Sequence, residues 1–137
     1  MNIKNCKTLQ IPKISSPRGS LSVIEDSNIL PFEIRRVYYL YDIPAGESRG
    51  GHAHKILEQL IIPISGSFDV KINDGSHEKV ITLNRPNVGL YICPYIWREL
   101  DKFSSGSVCL VLASQPYDES DYFRNYEEFL LEIGKLK

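Results

Sequence analysis

From Ile34 to Ser114 the chain runs in short segments rich in β-branched and aromatic residues, many alternating apolar with polar, each cut off by glycine, proline, asparagine or aspartate. A period of two places alternate side chains on opposite faces of a strand, and no helix can bury such a pattern on one side. Ile34–Tyr41, Glu58–Ile64, Ser67–Ile72, Glu78–Leu83, Val88–Cys93 and Val108–Ala113 therefore read as strands. Asn73-Asp74-Gly75-Ser76 tolerates positive φ and predicts a hairpin between its flanking strands. Strands at such close intervals define an all-β sandwich or barrel.

The period changes after Asp118. Apolar side chains recur at Phe123, Tyr126, Phe129, Leu130 and Ile133, with Asp118 or Ser120 as cap and Asp121 in the first turn. This predicts a C-terminal α-helix over about 119–135, its apolar stripe covered by the β-domain or by a second subunit. Near the start, LSVIE (Leu21–Glu25) predicts an edge strand within about 18–26, paired in the chain or across a dimer. With 137 residues and no repeat, linker or shift of composition, a single domain spans 1–137.

Sixteen Lys and Arg against seventeen Asp and Glu give a net charge of −1, which attracts neither nucleic acid nor a membrane surface. No apolar run approaches the ~20 residues of a spanning helix, and MNIKNCKTLQ lacks a signal-peptide core, so a cytoplasmic location is expected. Cys6, Cys93 and Cys109 are widely spaced and read as reduced packing residues.

The segment Gly46–Gly66, GESRGGHAHKILEQLIIPISG, carries the chemistry. In a strand, His52 and His54 face the same side, and in a barrel that side can be the interior. The chain has only three histidines, and an arginine and glycines precede this pair, which favours two imidazoles sharing a cavity over chance surface residues. His77, beyond the hairpin turn, reads as exposed.

Gly46, five residues and His52-x-His54 resemble the first motif of the cupins, whose second motif falls at Gly89–Leu100 (GLYICPYIWREL). The resemblance implies a double-stranded β-helix, the jelly-roll barrel. Cupin metal centres take a glutamate after the two histidines and a further histidine from the second motif. Here Gln59 stands at the glutamate position with Glu58 beside it, and Arg98 or Glu99 replaces the histidine. That set is a poor nest for a divalent metal, so no metal or other cofactor is expected and the histidines are free for acid-base work.

Four blocks, RVYYLYD (36–42), RGGHAHKILEQ (49–59), VGLYICPYIWREL (88–100) and VLASQPYDESDYFRNY (111–126), resemble the metal-free sugar-nucleotide 3,4-ketoisomerases in order and spacing. The likeness runs from about Pro17 to Tyr126. It implies a homodimer, with a possible exchange of the N-terminal strand, that moves the keto group of dTDP-4-keto-6-deoxyglucose from C4 to C3 through an enediol. By that match His54 is the shuttling base and His52 its partner. Tyr38 either supplies a hydroxyl to the enediol oxygens or is a packed strand aromatic. Arg18, Arg36 and Arg49 are candidates for the diphosphate, since guanidinium forks suit phosphate oxygens. Trp97 and Arg98 line the sugar or base pocket, with a core role for Trp97 as the alternative. Gln59 and Glu99 are candidates to fix imidazole tautomers. Galacto-producing members resemble one another in Arg and His at positions 18 and 98, gluco-producing ones in Tyr and Arg. This chain has Arg at both, and transfer by one base on one face favours the galacto product. A sugar-nucleotide 3,5-epimerase and a non-catalytic ligand-binding cupin are the competing readings.

Overall fold

A computed structural model describes residues 2–25 and 29–136. Among the described residues the strands are β1 (Lys7–Gln10), β2 (Lys13–Ser16), β3 (Gly19–Ser22), β4 (Arg36–Leu40), β5 (Arg49–His54), β6 (Gln59–Ser65), β7 (Phe68–Asn73), β8 (Glu78–Leu83), β9 (Val88–Ile92), β10 (Trp97–Asp101), β11 (Val108–Ala113) and β12 (Tyr122–Phe123). Two antiparallel five-stranded sheets, ordered β1-β9-β6-β11-β4 and β12-β5-β10-β7-β8, face each other. The expected all-β jelly roll with a C-terminal helix is the fold observed.

Alternation assigns the layers. Phe68, Val70 and Ile72 of β7, Leu90 and Ile92 of β9 and Val111 of β11 point inward and are buried together. Leu60 and Ile62 of β6 point the other way, where Ile11, Leu30 and the partly buried Phe32 and Ile34 cover them. β6 is thus apolar on both faces, which explains its nearly continuous run LIIPI. On the second sheet, Ala53 and Trp97 face outward against Phe123, Phe129 and Ile133. His52, His54 and Arg98, one residue removed, necessarily face the interior.

The predicted hairpin joins β7 to β8, with Gly75 at φ +93° and Asp74 Oδ1 accepting the Ser76 and His77 N–H groups. β1, β2, β10 and β12 are additional to the expected strands, and β5 is implied in the sequence only by the alternation of His52 and His54. The N-terminal edge strand is shorter than 18–26: β3 pairs only with β2, forming an exposed hairpin whose turn contains Arg18. Of that expected span, Asp26 lies outside the described residues.

The C-terminal helix is also shorter. α1 spans Tyr126–Leu136, with Asn125 Oδ1 accepting the Glu128 N–H at 3.0 Å. Asp118 does act as a cap, but of a single 3₁₀ turn, Glu119–Asp121. Tyr122 and Phe123 then extend and pair with His54 and Ala53 of β5. Strand pairing at a sheet edge overrides the helical period there. The cysteines are free, with Cys6 and Cys93 Sγ atoms 3.9 Å apart. Among the described residues no helix is long and apolar enough to cross a membrane.

Phe129 anchors α1, packing its ring near Trp97 and Phe123 with no exposed surface, whereas Leu131 is 69% exposed. Phe129→Ala should cost about 3–5 kcal/mol in urea unfolding, and Leu131→Ala less than about 0.5 kcal/mol. Equal losses would contradict this account of how the helix is held.

Candidate active site

The site begins with a bulge. Arg98 of β10 lies opposite His52, but Leu100 lies opposite Arg49, so β5 carries an extra residue between these pairs. Gly50 absorbs it at φ +82°, where a Cβ would stand 3.1 Å from Leu100 Cδ1. The pair Gly50-Gly51 thereby brings Arg49 and His52 to one cavity of about 460 Å³, lined also by Arg36, Tyr38, Gln59, Arg98, Tyr117, Tyr122 and Arg124.

Arg98 is 1% exposed. Its Nε and Nη2 donate to the Ile96 carbonyl at 3.2 and 3.0 Å, and Nη1 donates to Gln59 Oε1 at 2.5 Å. Gln59 Nε2 in turn donates to the Tyr38 hydroxyl at 3.1 Å. Tyr38 therefore keeps its own proton to give elsewhere. Burial raises the Tyr38 pKa against the opposing pull of Arg98, and burial lowers that of Arg98 to about 10, so at neutral pH the phenol is protonated and the guanidinium charged.

The two imidazoles stand edge to face, centroids 4.8 Å apart. Burial first, and then Arg98, Arg124 and Arg36, hold His52 down to about 3. The same burial, with Arg98 and His52 next, depresses His54 further. Both rings are neutral at pH 7. Their Nε2 atoms are buried without a protein partner. His52 lines the cavity, whereas His54 has no exposed surface, lies behind it beside Tyr122, and places Nδ1 3.2 Å from Asp121 Oδ2.

Arginines surround the opening. Arg36 has buried Nε and Nη2 atoms without partners, its guanidinium lying over Tyr38 and Tyr117 at 5.3 and 5.6 Å from the ring centroids. At the rim Glu119 accepts from Arg124 at 2.7 and 2.9 Å and from the Tyr117 hydroxyl, while Arg124 covers the Tyr122 ring at 4.1 Å. Those contacts, Arg124 foremost, lower Glu119 to about 2.

Six of the expected residues, Tyr38, Arg36, Arg49, His52, Gln59 and Arg98, meet around this cavity. Others do not. Trp97 cannot share the interior with its neighbour Arg98, and it packs under α1 against Tyr126 and Phe129. Glu99 is exposed on the outer face, 4.0 Å from Lys71, so it fixes no imidazole. Gln59 holds Arg98 and Tyr38 rather than a histidine. Arg18 sits on the exposed hairpin, outside the residues lining the cavity. His54, expected as the base, is screened from the cavity and His52 faces it. Asp121, Tyr117, Tyr122 and Arg124 were not singled out as site residues by motif spacing. Their signal was the density of aromatic and charged residues in PYDESDYFR, masked by the helical period assigned to it.

The donor set does not fit the metal of other cupins. Among the described residues no group of three or more His, Cys, Asp or Glu side chains could hold an ion, and Arg98 places a positive charge beside the imidazoles. Glu58, the nearest carboxylate in sequence, accepts instead from the Tyr91 hydroxyl.

The WxcM-like, C-terminal family profile matches residues 4–134. TDP-4-oxo-6-deoxy-alpha-D-glucose-3,4-oxoisomerase from Aneurinibacillus thermoaerophilus is 47% identical over 130 residues, covering 95% of this chain and 94% of that protein. The WlaRB TDP-quinovose 3,4-ketoisomerase of Campylobacter jejuni is 52% identical with a TM-score of 0.90, covering 94% of this chain and 99% of that one. The sugar 3,4-ketoisomerase QdtA of Thermoanaerobacterium thermosaccharolyticum, solved in complex with TDP, is 42% identical with a TM-score of 0.94, covering 96% of each chain. The chain belongs to the WxcM-like family.

The buried neutral histidines carry a pH signature. A histidine whose folded pKa lies below its unfolded value of ~6.5 makes the unfolded state bind more protons in between, so stability is complete above that value and falls as pH drops toward 3. Between pH 6 and 4 the urea-unfolding free energy of His52→Asn should fall less steeply than that of the wild type, by up to about 1.4 kcal/mol per pH unit. Parallel slopes would contradict a neutral, buried His52.

Proposed function

We propose that the protein is a TDP-4-keto-6-deoxyglucose 3,4-ketoisomerase in which His52 moves the proton. The observation that carries this reading is the neutral imidazole of His52, its Nε2 unpartnered, on the wall of a cavity ringed by guanidinium groups. A ketone migrates from C4 to C3 when a base removes the C3 proton while the C4 oxygen takes one to become an enediol hydroxyl, and C4 then takes a proton while the C3 hydroxyl gives one up to become the new ketone. The protons balance, and no redox partner enters. His52 supplies the base and then the acid. Tyr38, protonated and held by Gln59, donates to the oxygen on which charge develops. Arg98 adds a fixed positive charge beside both.

Arg36, with two buried unpaired donors, is suited to a diphosphate oxygen, and Arg49 and Arg124 extend the same cationic rim. TDP and TDP-4-keto-6-deoxyglucose are bound by the Thermoanaerobacterium enzyme and its histidine-to-asparagine variant respectively, which supports this substrate. The chain acts as a homodimer in this reading. The β2–β3 hairpin exposes Ile14 and Leu21, and the edge strand β4 exposes Val37 and Tyr39, surfaces that a second copy would cover. Exchange of the hairpin would carry Arg18 to the partner's cavity.

The product is assigned the galacto configuration. His52 alone removes the C3 proton and returns one to C4, so transfer from the one cavity wall it occupies delivers the C4 hydrogen to the face from which the C3 hydrogen left. A large trans-diaxial coupling between the protons on carbons 4 and 5 would instead identify the gluco product and a second donor.

Incubation with TDP-4-keto-6-deoxyglucose, followed by proton NMR, should give the 3-keto sugar. Retention of the ketone at C4 with exchange at C3 and C5 would identify a 3,5-epimerase, and no turnover would favour a binding protein. His52→Asn should retain TDP binding and lose about 10²–10⁴-fold in kcat. Exhaustive chelation should leave kcat unchanged. A loss that zinc restores would contradict the assignment.

A further inference from the structure

Asp121 takes no part in those steps, yet its side chain and carbonyl knit together the corner that follows β5. Oδ1 accepts the Ile56 N–H at 2.8 Å, Oδ2 accepts the Leu57 N–H at 3.2 Å, and the backbone carbonyl accepts the Lys55 N–H at 3.0 Å. Oδ2 also lies 3.2 Å from His54 Nδ1. An ionised carboxylate only accepts, so the imidazole must bring the proton at Nδ1. The nitrogen left bare is Nε2, buried without a partner, on a ring set perpendicular to that of His52. Tyr122, the next residue, pairs with His54 across the sheet edge and lies 4.3 Å from it, so the carboxylate and the ring are held by one short segment.

We propose that Asp121 is a positioning residue that locks His54 in the Nδ1–H tautomer and, through that ring, stabilises the imidazolium His52 becomes when it takes the substrate proton. This rests on His52 being the base. The neutral His54 accepts no substrate proton itself. Its Nδ1–H transmits the carboxylate charge, and its bare Nε2 leaves an acceptor rather than a donor on the buried ring that stands against His52.

Long-range ¹H–¹⁵N NMR of the wild-type protein should show His54 protonated at Nδ1 and bare at Nε2, while a protonated Nε2 would overturn the proposal without any variant. Asp121→Asn should shift His54 to the Nε2–H tautomer, lower kcat by about 10²–10⁴-fold and leave KM within about threefold. His54→Asn combined with Asp121→Asn should be no slower than His54→Asn alone. An unchanged tautomer in Asp121→Asn, a wild-type kcat, or losses that add in the double variant would each refute a role exercised through His54. If Asp121→Asn does not fold, the wild-type ring spectrum still decides the tautomer. Failure of the underlying reading is separate, because it would show as full turnover by His52→Asn.

Discussion

A guanidinium almost sealed from solvent lies between the two sheets, and the site is arranged around what its charge requires. Removing such an ion from water costs several kcal/mol unless its donors are met. Arg98 meets this cost with the Ile96 carbonyl and Gln59. Gln59 is thereby oriented to hold Tyr38, which retains a proton to donate. The same charge adds to burial in keeping His52 and His54 neutral, and it repels a metal cation from the two imidazoles that other cupins use as ligands. Gln59 and Arg98, standing where metal-binding cupins carry a glutamate and a histidine, together leave a donor set that does not suit a metal cation.

The strand that carries Arg98 also ties catalysis to the helix. Trp97 faces outward beneath α1 while Arg98 faces inward, so docking of Phe129 on Trp97 steadies the backbone on which the guanidinium sits. On the neighbouring strand Ala53 does the same between His52 and His54, packing against the Phe123 cluster. The segment 117–124 closes both faces at once: Phe123 enters the outer core, and Tyr117, Tyr122 and Arg124 line the mouth of the cavity. The rim is built from the chain that leads into the helix, which is why that helix begins only at Tyr126.

Period-two patterning made the central strands legible, and Glu78–Leu83 and Val108–Ala113 match the observed strands at both ends. β1 and β2 were less visible because KTLQ and KISS carry little apolar alternation and gain their pairing from neighbours. Tyr122 and Phe123 fit a helical period but satisfy the free edge of β5 instead. In the site, same-face logic brought His52 and His54 together, and applied to Trp97-Arg98 it would have excluded the tryptophan. Which histidine meets the cavity depends on Tyr122 and Asp121 lying over His54, a contact separated by some 67 positions in the chain that no local spacing encodes.

Burial and the enclosed Arg98 charge together keep the His52 imidazole neutral. The direct test is a ring-proton NMR titration of His52 in the wild type and in Arg98→Met. The wild-type imidazole should show no protonation above about pH 5, and its pKa should rise once the guanidinium is removed. A wild-type His52 titrating near ~6.5, or one indifferent to the loss of Arg98, would contradict that origin of its neutrality.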